Sequence, residues 1–177
     1  MNTKFEFTGK TKVVFVVTLK QIRALASFVA VAKGEIGGWI ESEANLQVSG
    51  NAWVSGNAQV YGNARVYGDA RVSGDARVYG DAWVSGNAQI YGDARVYGDA
   101  RVSGNASFLV LGPIGSRQDH LCVHADAKLG LRFTTGCFSG SEKEFRLALK
   151  ETHSKSEYGK HYAAAIDLAL LMVKEPK

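Results

Sequence analysis

The sequence predicts a mainly β protein: a hexapeptide solenoid, wound as a parallel β-helix, followed by a small α+β module. Three observations carry this. From Gln47 to Ser107 a six-residue unit recurs ten times, opened by Val48, Val54, Val60, Val66, Val72, Val78, Val84, Ile90, Val96 and Val102. In every unit Gly follows two positions later, then Asn or Asp, then Ala. After Ser107 the period stops, and helical spacing takes over at 141–150 and 157–174. Hexapeptide repeats are the mark of parallel β-helices, whose coils bury a continuous core only by stacking.

Each part of the unit has a physical task. The β-branched residue and the Ala are its invariant apolar positions, so they point inward. The Gly-Asn/Asp pair makes the bend, because Gly tolerates positive φ and Asn or Asp bonds the local backbone. Residues on either side of the Val face outward, since side chains alternate along a strand.

The chain divides into a strand and capping segment at 1–35, the solenoid at 36–107 and the α+β module at 108–177. In the first segment, residues 4–8 and 12–19 read as strands around a Thr8-Gly9-Lys10-Thr11 turn. Run backwards, the hexad phase puts Ile36 in the Val column and Ile40 and Leu46 in the Ala column. These larger residues close the end of the core, since solenoids need atypical terminal caps. In the last segment Phe108–Leu111, His120–His124 and Leu129–Thr135 read as strands. Ser141-Glu142-Lys143-Glu144 has capping-box spacing, opening a helix to about Lys150. A second helix spans about Glu157 to Lys174, with Tyr158, Tyr162, Ile166 and 169–173 as its apolar side.

The repeat resembles the hexapeptide-repeat, left-handed β-helix family, in which three units make one triangular coil. Ile22-Arg23-Ala24-Leu25, then Gly34-Glu35-Ile36-Gly37-Gly38-Trp39-Ile40-Glu41-Ser42-Glu43, with Gly112 to Asp119 and Gly136 to Gly140, are similar to a group of phage and prophage hexapeptide-repeat proteins. The resemblance covers most of the chain after about Ile22 and implies a left-handed, homotrimeric solenoid in the bacterial host cytoplasm. It implies no activity. With three units per coil, residues eighteen apart stack about 4.8 Å from one another. One face then carries Tyr61, Tyr79 and Tyr97 beside Gln59, Arg77 and Arg95. A second carries Arg65, Trp83 and Arg101, and a third Trp53, Arg71 and Gln89.

Charge excludes some functions. Net charge is +4, with six cations against four carboxylates before the repeat, five against five within it and ten against eight after it. That is no footprint of a sequence-specific nucleic-acid binder. Cys122 and Cys137 form no disulfide framework. Val13–Leu19 is apolar, but Glu6, Lys20, Gln21 and Arg23 break the pattern of a signal peptide, and no run is long enough to span a bilayer. A phosphate-loop reading of Gly9-Lys10-Thr11 fails because Lys4 stands where the first Gly is needed.

Acyltransferases and carbonic anhydrases of the resembling family place His on or beside the coils. This chain has no His between Met1 and Val110, so acyl transfer there lacks a general base. No catalytic residue, metal ligand or cofactor is assigned. Alternate strand residues His120, Cys122 and His124 share a face and offer three ligands with no evident fourth. Two binding sites are expected. Gly115, Ser116 and Arg117, with Ser141 at a helix start, can cradle a phosphate, so the ligand is a small anion such as a nucleotide. The alternative there is a tight turn with Arg117 paired to Asp119 or to solvent. Tyr61, Tyr79, Tyr97, Arg77 and Arg95 form a face for a partner such as a host defence protein; the alternative is that stacked rings only stabilise the sheet. The expected function is a non-catalytic binding protein. Its alternatives are a virion or assembly component, or an enzyme with its site in the last module.

Overall fold

The computed structural model describes residues 2–104, 108–154 and 156–174. Nine strands of two or three residues follow one another at six-residue intervals: β4 (Trp53–Val54), β5 (Gln59–Val60), β6 (Arg65–Val66), β7 (Arg71–Val72), β8 (Arg77–Val78), β9 (Trp83–Ser85), β10 (Gln89–Ile90), β11 (Arg95–Val96) and β12 (Arg101–Ser103). Each pairs in parallel with the strand eighteen residues away, as Arg71 does with Gln89 and Trp83 with Arg101. Three walls result: β4-β7-β10, β6-β9-β12, and β5-β8-β11 extended by the amino-terminal strands. The Val and Ala columns fill the interior, at no more than 1% exposure from Val54 to Val102. The bends are close enough to need glycine. A Cβ on Gly50, at φ 75°, would lie 2.6 Å from the carbonyl oxygen of Gly68.

The start of the solenoid differs from the expected phase. The amino-terminal hairpin is β1 (Phe5–Val14) and β2 (Val17–Ala24), turning at Phe15 and Val16 and not at Thr8–Thr11. Gly9 instead falls within an irregularity between Phe7 and Thr11 that leaves the strand unbroken. β3 (Ile36–Ile40) joins β2 antiparallel and β5 parallel, so the hairpin extends one wall of the solenoid. Ile40 pairs with Val60 and Leu46 bridges Val66, twenty residues on, so both stand in the Val column and not the Ala column. Two residues are extra, because Val48, Ser49 and Gly50 stand opposite the single residue Tyr67. The Gln47 N–H donates to Val66, while the Asn51 and Ala52 N–H groups both donate to Gly68. Val48, expected in the core, is therefore 38% exposed, and Ile36 is 50% exposed.

A 3₁₀ turn, η1 (Glu43–Asn45), stands where the next wall has no strand above β6. Asn45 takes the missing strand's part. Its buried amide nitrogen donates to the carbonyls of Gly62 (3.0 Å) and Ala64 (2.9 Å), and its oxygen accepts from the Ser42 N–H (2.8 Å). Gly37 and Gly38 lie against the first coil's backbone. A Cβ on either would meet a carbonyl oxygen, Val54 or Ala58, at 2.8 Å. Two outward positions are covered here. Trp53 is buried edge-on against Phe28, and Gln59 is buried between Trp39 and Arg77 along its wall.

Beyond the solenoid, β13 (Phe108–Ile114), β14 (Asp119–Asp126), β15 (Gly130–Thr135) and β16 (Phe138–Gly140) form an antiparallel meander. β16 has no counterpart among the expected strands. The last unit of the repeat ends at 105–107, outside the described residues. Helices α1 (Glu142–His153) and α2 (Glu157–Met172) cover one face of this sheet. Leu121, Val123, Leu131 and Phe133 pack there against Phe145, Tyr162, Ile166 and Ala169. The other face of β14 closes the last coil. Ala100 bridges Asp126, the Ala127 N–H donates to Asp99, and Lys128 pairs with Asp99 at 2.7 Å.

Candidate functional site

The tyrosine column forms as expected from the eighteen-residue register. Tyr61 and Tyr79 stack with ring centroids 5.1 Å apart and planes 3° from parallel; Tyr79 and Tyr97 stack at 4.9 Å and 9°. Burial raises the phenol pKa of Tyr61 and raises that of Tyr79 to about 12, the two ring neighbours of Tyr79 adding to its shift, so these two present neutral hydroxyls at pH 7. Gln59, Arg77 and Arg95 run beside them in register.

The repeat's five Arg and five Asp balance in number but do not pair. Among the described residues none of Arg65, Arg71, Arg77, Arg95 and Arg101 has a carboxylate within ion-pair distance. The reason is positional: Asp occupies the bends and Arg the flat walls. Asp69 and Asp81 instead accept from Asn51 and Asn63 one coil earlier, at 2.7 and 3.0 Å. On the second wall the guanidinium groups lie over an aromatic ring, Arg101 4.5 Å and Arg65 5.9 Å from Trp83, while Arg101 also donates to the carbonyls of Asp81, Asp99 and Ala100.

The tyrosine wall runs directly into the carboxy-terminal sheet. A cavity of about 90 Å³ lies at this junction, lined by Tyr79, Arg95 and Tyr97 from the coils and His120, Thr134 and Thr135 from β14 and β15. Asp93, Asp119, Cys122 and Gly136 complete it. Burial raises the Cys122 thiol pKa, opposed by the Arg95 backbone N–H that the sulfur faces at the coil's last edge. At the rim a Cβ on Gly136 would lie 3.6 Å from the Arg117 guanidinium, which also donates to the Cys137 sulfur at 3.9 Å. Arg117 is exposed, and no carboxylate pairs with it among the described residues; of the two partners the alternative reading gave it, Asp119 and solvent, it has solvent, while Asp119 Oδ1 accepts from the His120 N–H.

The candidate residues thus fall into two groups. Arg95, Tyr79 and Tyr97 line one cleft, and Arg117 stands beside its lining residue Gly136. Gly115 and Ser141 are used structurally. Gly115, at φ 76°, lies so close to the Tyr162 ring that any side chain would collide with it. Ser141 caps α1, its hydroxyl and N–H both donating to the Glu144 carboxylate, at 2.7 and 2.8 Å. The chain's own carboxylate therefore fills the helix start that was expected to receive an anion. Ser116 is exposed on the turn. His120, Cys122 and His124 do face away from the helices. His124 is fully buried, its Nδ1 at 3.2 Å from the Ala125 carbonyl, and burial lowers its pKa to about 4, leaving it neutral. Among the described residues no three His, Cys, Asp or Glu side chains gather as a metal site.

Thr134, Thr135 and Gly136 were not legible as site residues, and His120 was read only as a possible metal ligand. They join the cleft only because β14 docks on the last coil, which nothing in the repeat announces.

With this geometry in place the comparison with known families has a definite meaning. Residues 46–60, 58–71, 70–86, 88–104 and 94–107 match the YdcK Beta solenoid repeat. The chain is a β-solenoid repeat protein. The match covers about a third of its length and lies within the repeat. No curated protein matches it. Among the described residues no helix is long and apolar enough to cross a membrane.

Proposed function

We propose that this chain is a non-catalytic binding protein of phage or prophage origin that holds a nucleotide in the cleft between the tyrosine wall and the carboxy-terminal sheet. Its scaffold is a left-handed hexapeptide solenoid assembled as a homotrimer in the host cytoplasm. Its task is to sequester a nucleotide messenger of host antiviral defence.

One observation carries the reading: a stack of three tyrosines ends at a cleft lined by Arg95, with Arg117 beside its lining residue Gly136, and neither guanidinium has a carboxylate partner among the described residues. A cavity of about 90 Å³ is too small for a whole nucleotide and suits a phosphate group, the remainder lying outside on the rings. Asp93 and Asp119 also border it, which disfavours bare inorganic phosphate. A nucleotide satisfies all three chemistries at once. Its phosphate meets guanidinium, its base stacks on tyrosine, and its ribose hydroxyls donate to carboxylate. The absence of His from the coils supports a binding role over acyl transfer.

Calorimetry against a panel of linear and cyclic nucleotides tests this. Binding by the unmodified chain, lost in Arg117→Ala and in Arg95→Ala, is the expected result; silence across the panel ends the nucleotide reading. The same free Arg77 and Arg95 beside exposed ring edges favour one second reading, direct docking of a host defence protein on this wall.

A further inference from the structure

The β1–β2 hairpin carries its least polar residues where water reaches them most easily. Its reversal reads Val13-Val14-Phe15-Val16-Val17, and Val13, Phe15 and Val16 are 68%, 82% and 95% exposed. A two-residue hairpin turn normally places Gly, Asn or Asp where φ is positive. Phe15 takes φ 55° there, an outlier for a bulky side chain. Backbone strain and an exposed ring at one residue mark an apex kept for contact and not for stability. β3 pairs with β2 no nearer the turn than Lys20, so the apex projects about 13 Å past the last contact with a third strand.

The charge behind the apex is of one sign. Residues 1–34 hold Lys4, Lys10, Lys12, Lys20, Arg23 and Lys33 against a single carboxylate, Glu6, which Arg23 pairs. Lys10, Lys12 and Lys20 have no carboxylate partner among the described residues. They stand behind the tip. Lys12 lies opposite Leu19 and Lys20 opposite Thr11, with Lys10 one residue nearer the hairpin base. The ammonium groups of Lys12 and Lys20 lie over the rings of Trp39 (4.4 Å) and Phe7 (5.1 Å), and Arg77 and Asp75 act on Lys12 with opposite sign.

We infer that the Val13–Val17 apex inserts into the surface of an anionic lipid bilayer. Apolar side chains at such a surface sink about 5–10 Å into the boundary between headgroups and acyl chains. That depth takes in Val13, Phe15 and Val16. It brings the Lys12 and Lys20 ammonium groups to within about one Debye length of the headgroups, ~8 Å in physiological salt, where each cation adds attraction. A protein partner fits less well, because a stable protein interface buries about 800 Å² a side, more than three side chains at an apex supply. The contact dips into one leaflet and requires neither the trimer nor the nucleotide put forward above.

Sedimentation of the full-length chain with phosphatidylcholine vesicles, with and without phosphatidylserine, tests this. Binding to the vesicles that contain phosphatidylserine, weakened by added salt and much weaker with phosphatidylcholine alone, is the expected result. Phe15→Gly should cut that binding by about tenfold or more. It should also raise the urea midpoint, since glycine relieves the strained turn. A polarity-sensitive dye on Val16→Cys, in a chain carrying Cys137→Ser, should shift to the blue as vesicles are added. No sedimentation overturns the inference, and so does equal binding to both kinds of vesicle. Sedimentation that Phe15→Gly leaves unchanged overturns it, because another surface then holds the lipid. A dye already shifted before vesicles are added overturns it too, because protein then covers the tip.

Discussion

Replacing Asn45 with Leu tests how the solenoid is closed at its start. The substitution keeps the branched shape and heavy-atom count and removes every hydrogen bond that the amide makes: two to the carbonyls of Gly62 and Ala64, one from the Ser42 N–H and a longer one, at 3.3 Å, from the Ser42 hydroxyl. The Ala64 bond is fully buried, while Gly62 and Ser42 lie where water can replace part of the loss. A buried polar group left unsatisfied costs about 1–3 kcal/mol. One full penalty and two partial ones give a loss of about 3 kcal/mol. With a urea slope of about 2 kcal/mol/M, the unfolding midpoint falls by about 1.5 M. Trp39, Trp53 and Trp83 are the chain's three tryptophans and all lie on the coils or their cap, so fluorescence reports this unfolding without the carboxy-terminal module. A midpoint within about 0.3 M of the unmodified protein would show that the carbonyls find other donors and that Asn45 is not the cap.

Further outcomes follow from the same geometry. Gly38→Ala forces a Cβ to 2.8 Å from the Ala58 carbonyl and should cost about 1–3 kcal/mol in the same unfolding assay, through overpacking against backbone. His124 is held neutral with a pKa of about 4, below its unfolded value, so the unfolded chain takes up a proton first as pH falls. Stability should therefore drop from about pH 6.5 to about pH 4, by up to about 1.4 kcal/mol per pH unit, and His124→Gln should flatten that slope. Lys4 behaves oppositely in range but with the same sign. Burial lowers its pKa to about 8, so stability should rise between about pH 8 and pH 10.5 as the unfolded chain alone keeps the proton. Lys4→Met should remove that rise, read as the pH dependence of the urea midpoint.

The coils were legible in the sequence because one position decides each contact. A Val every sixth residue fixes which side chains point inward, and the eighteen-residue register then lines up Tyr61, Tyr79 and Tyr97 without further information. The first coil was not, because Val48-Ser49-Gly50-Asn51-Ala52 copies the repeat perfectly while its backbone is displaced by the Asn45 cap and by Gly37-Gly38 above it. Local pattern yields there to a tertiary contact. The hairpin turn was misplaced for a related reason: Gly9-Lys10 has turn chemistry and Phe15-Val16 has none, yet the register with β2 puts the reversal at the latter. Of the site, Arg117 and the Tyr/Arg wall were identified separately. That they meet depends on Cys122 and Asp126 of β14 docking on the edges of the last coil, a contact between segments whose sequences share no pattern. Ser141 was read as an anion cradle, and the capping box that made it recognisable is also what fills it with Glu144.

Native mass spectrometry of the protein taken directly from the bacterial host in which phage infection has triggered nucleotide signalling tests the central claim most directly. The account predicts an added mass matching a nucleotide, retained on the unmodified chain and absent from Arg95→Ala and Arg117→Ala. A bare polypeptide mass, unchanged after incubation with excess nucleotides, would contradict it.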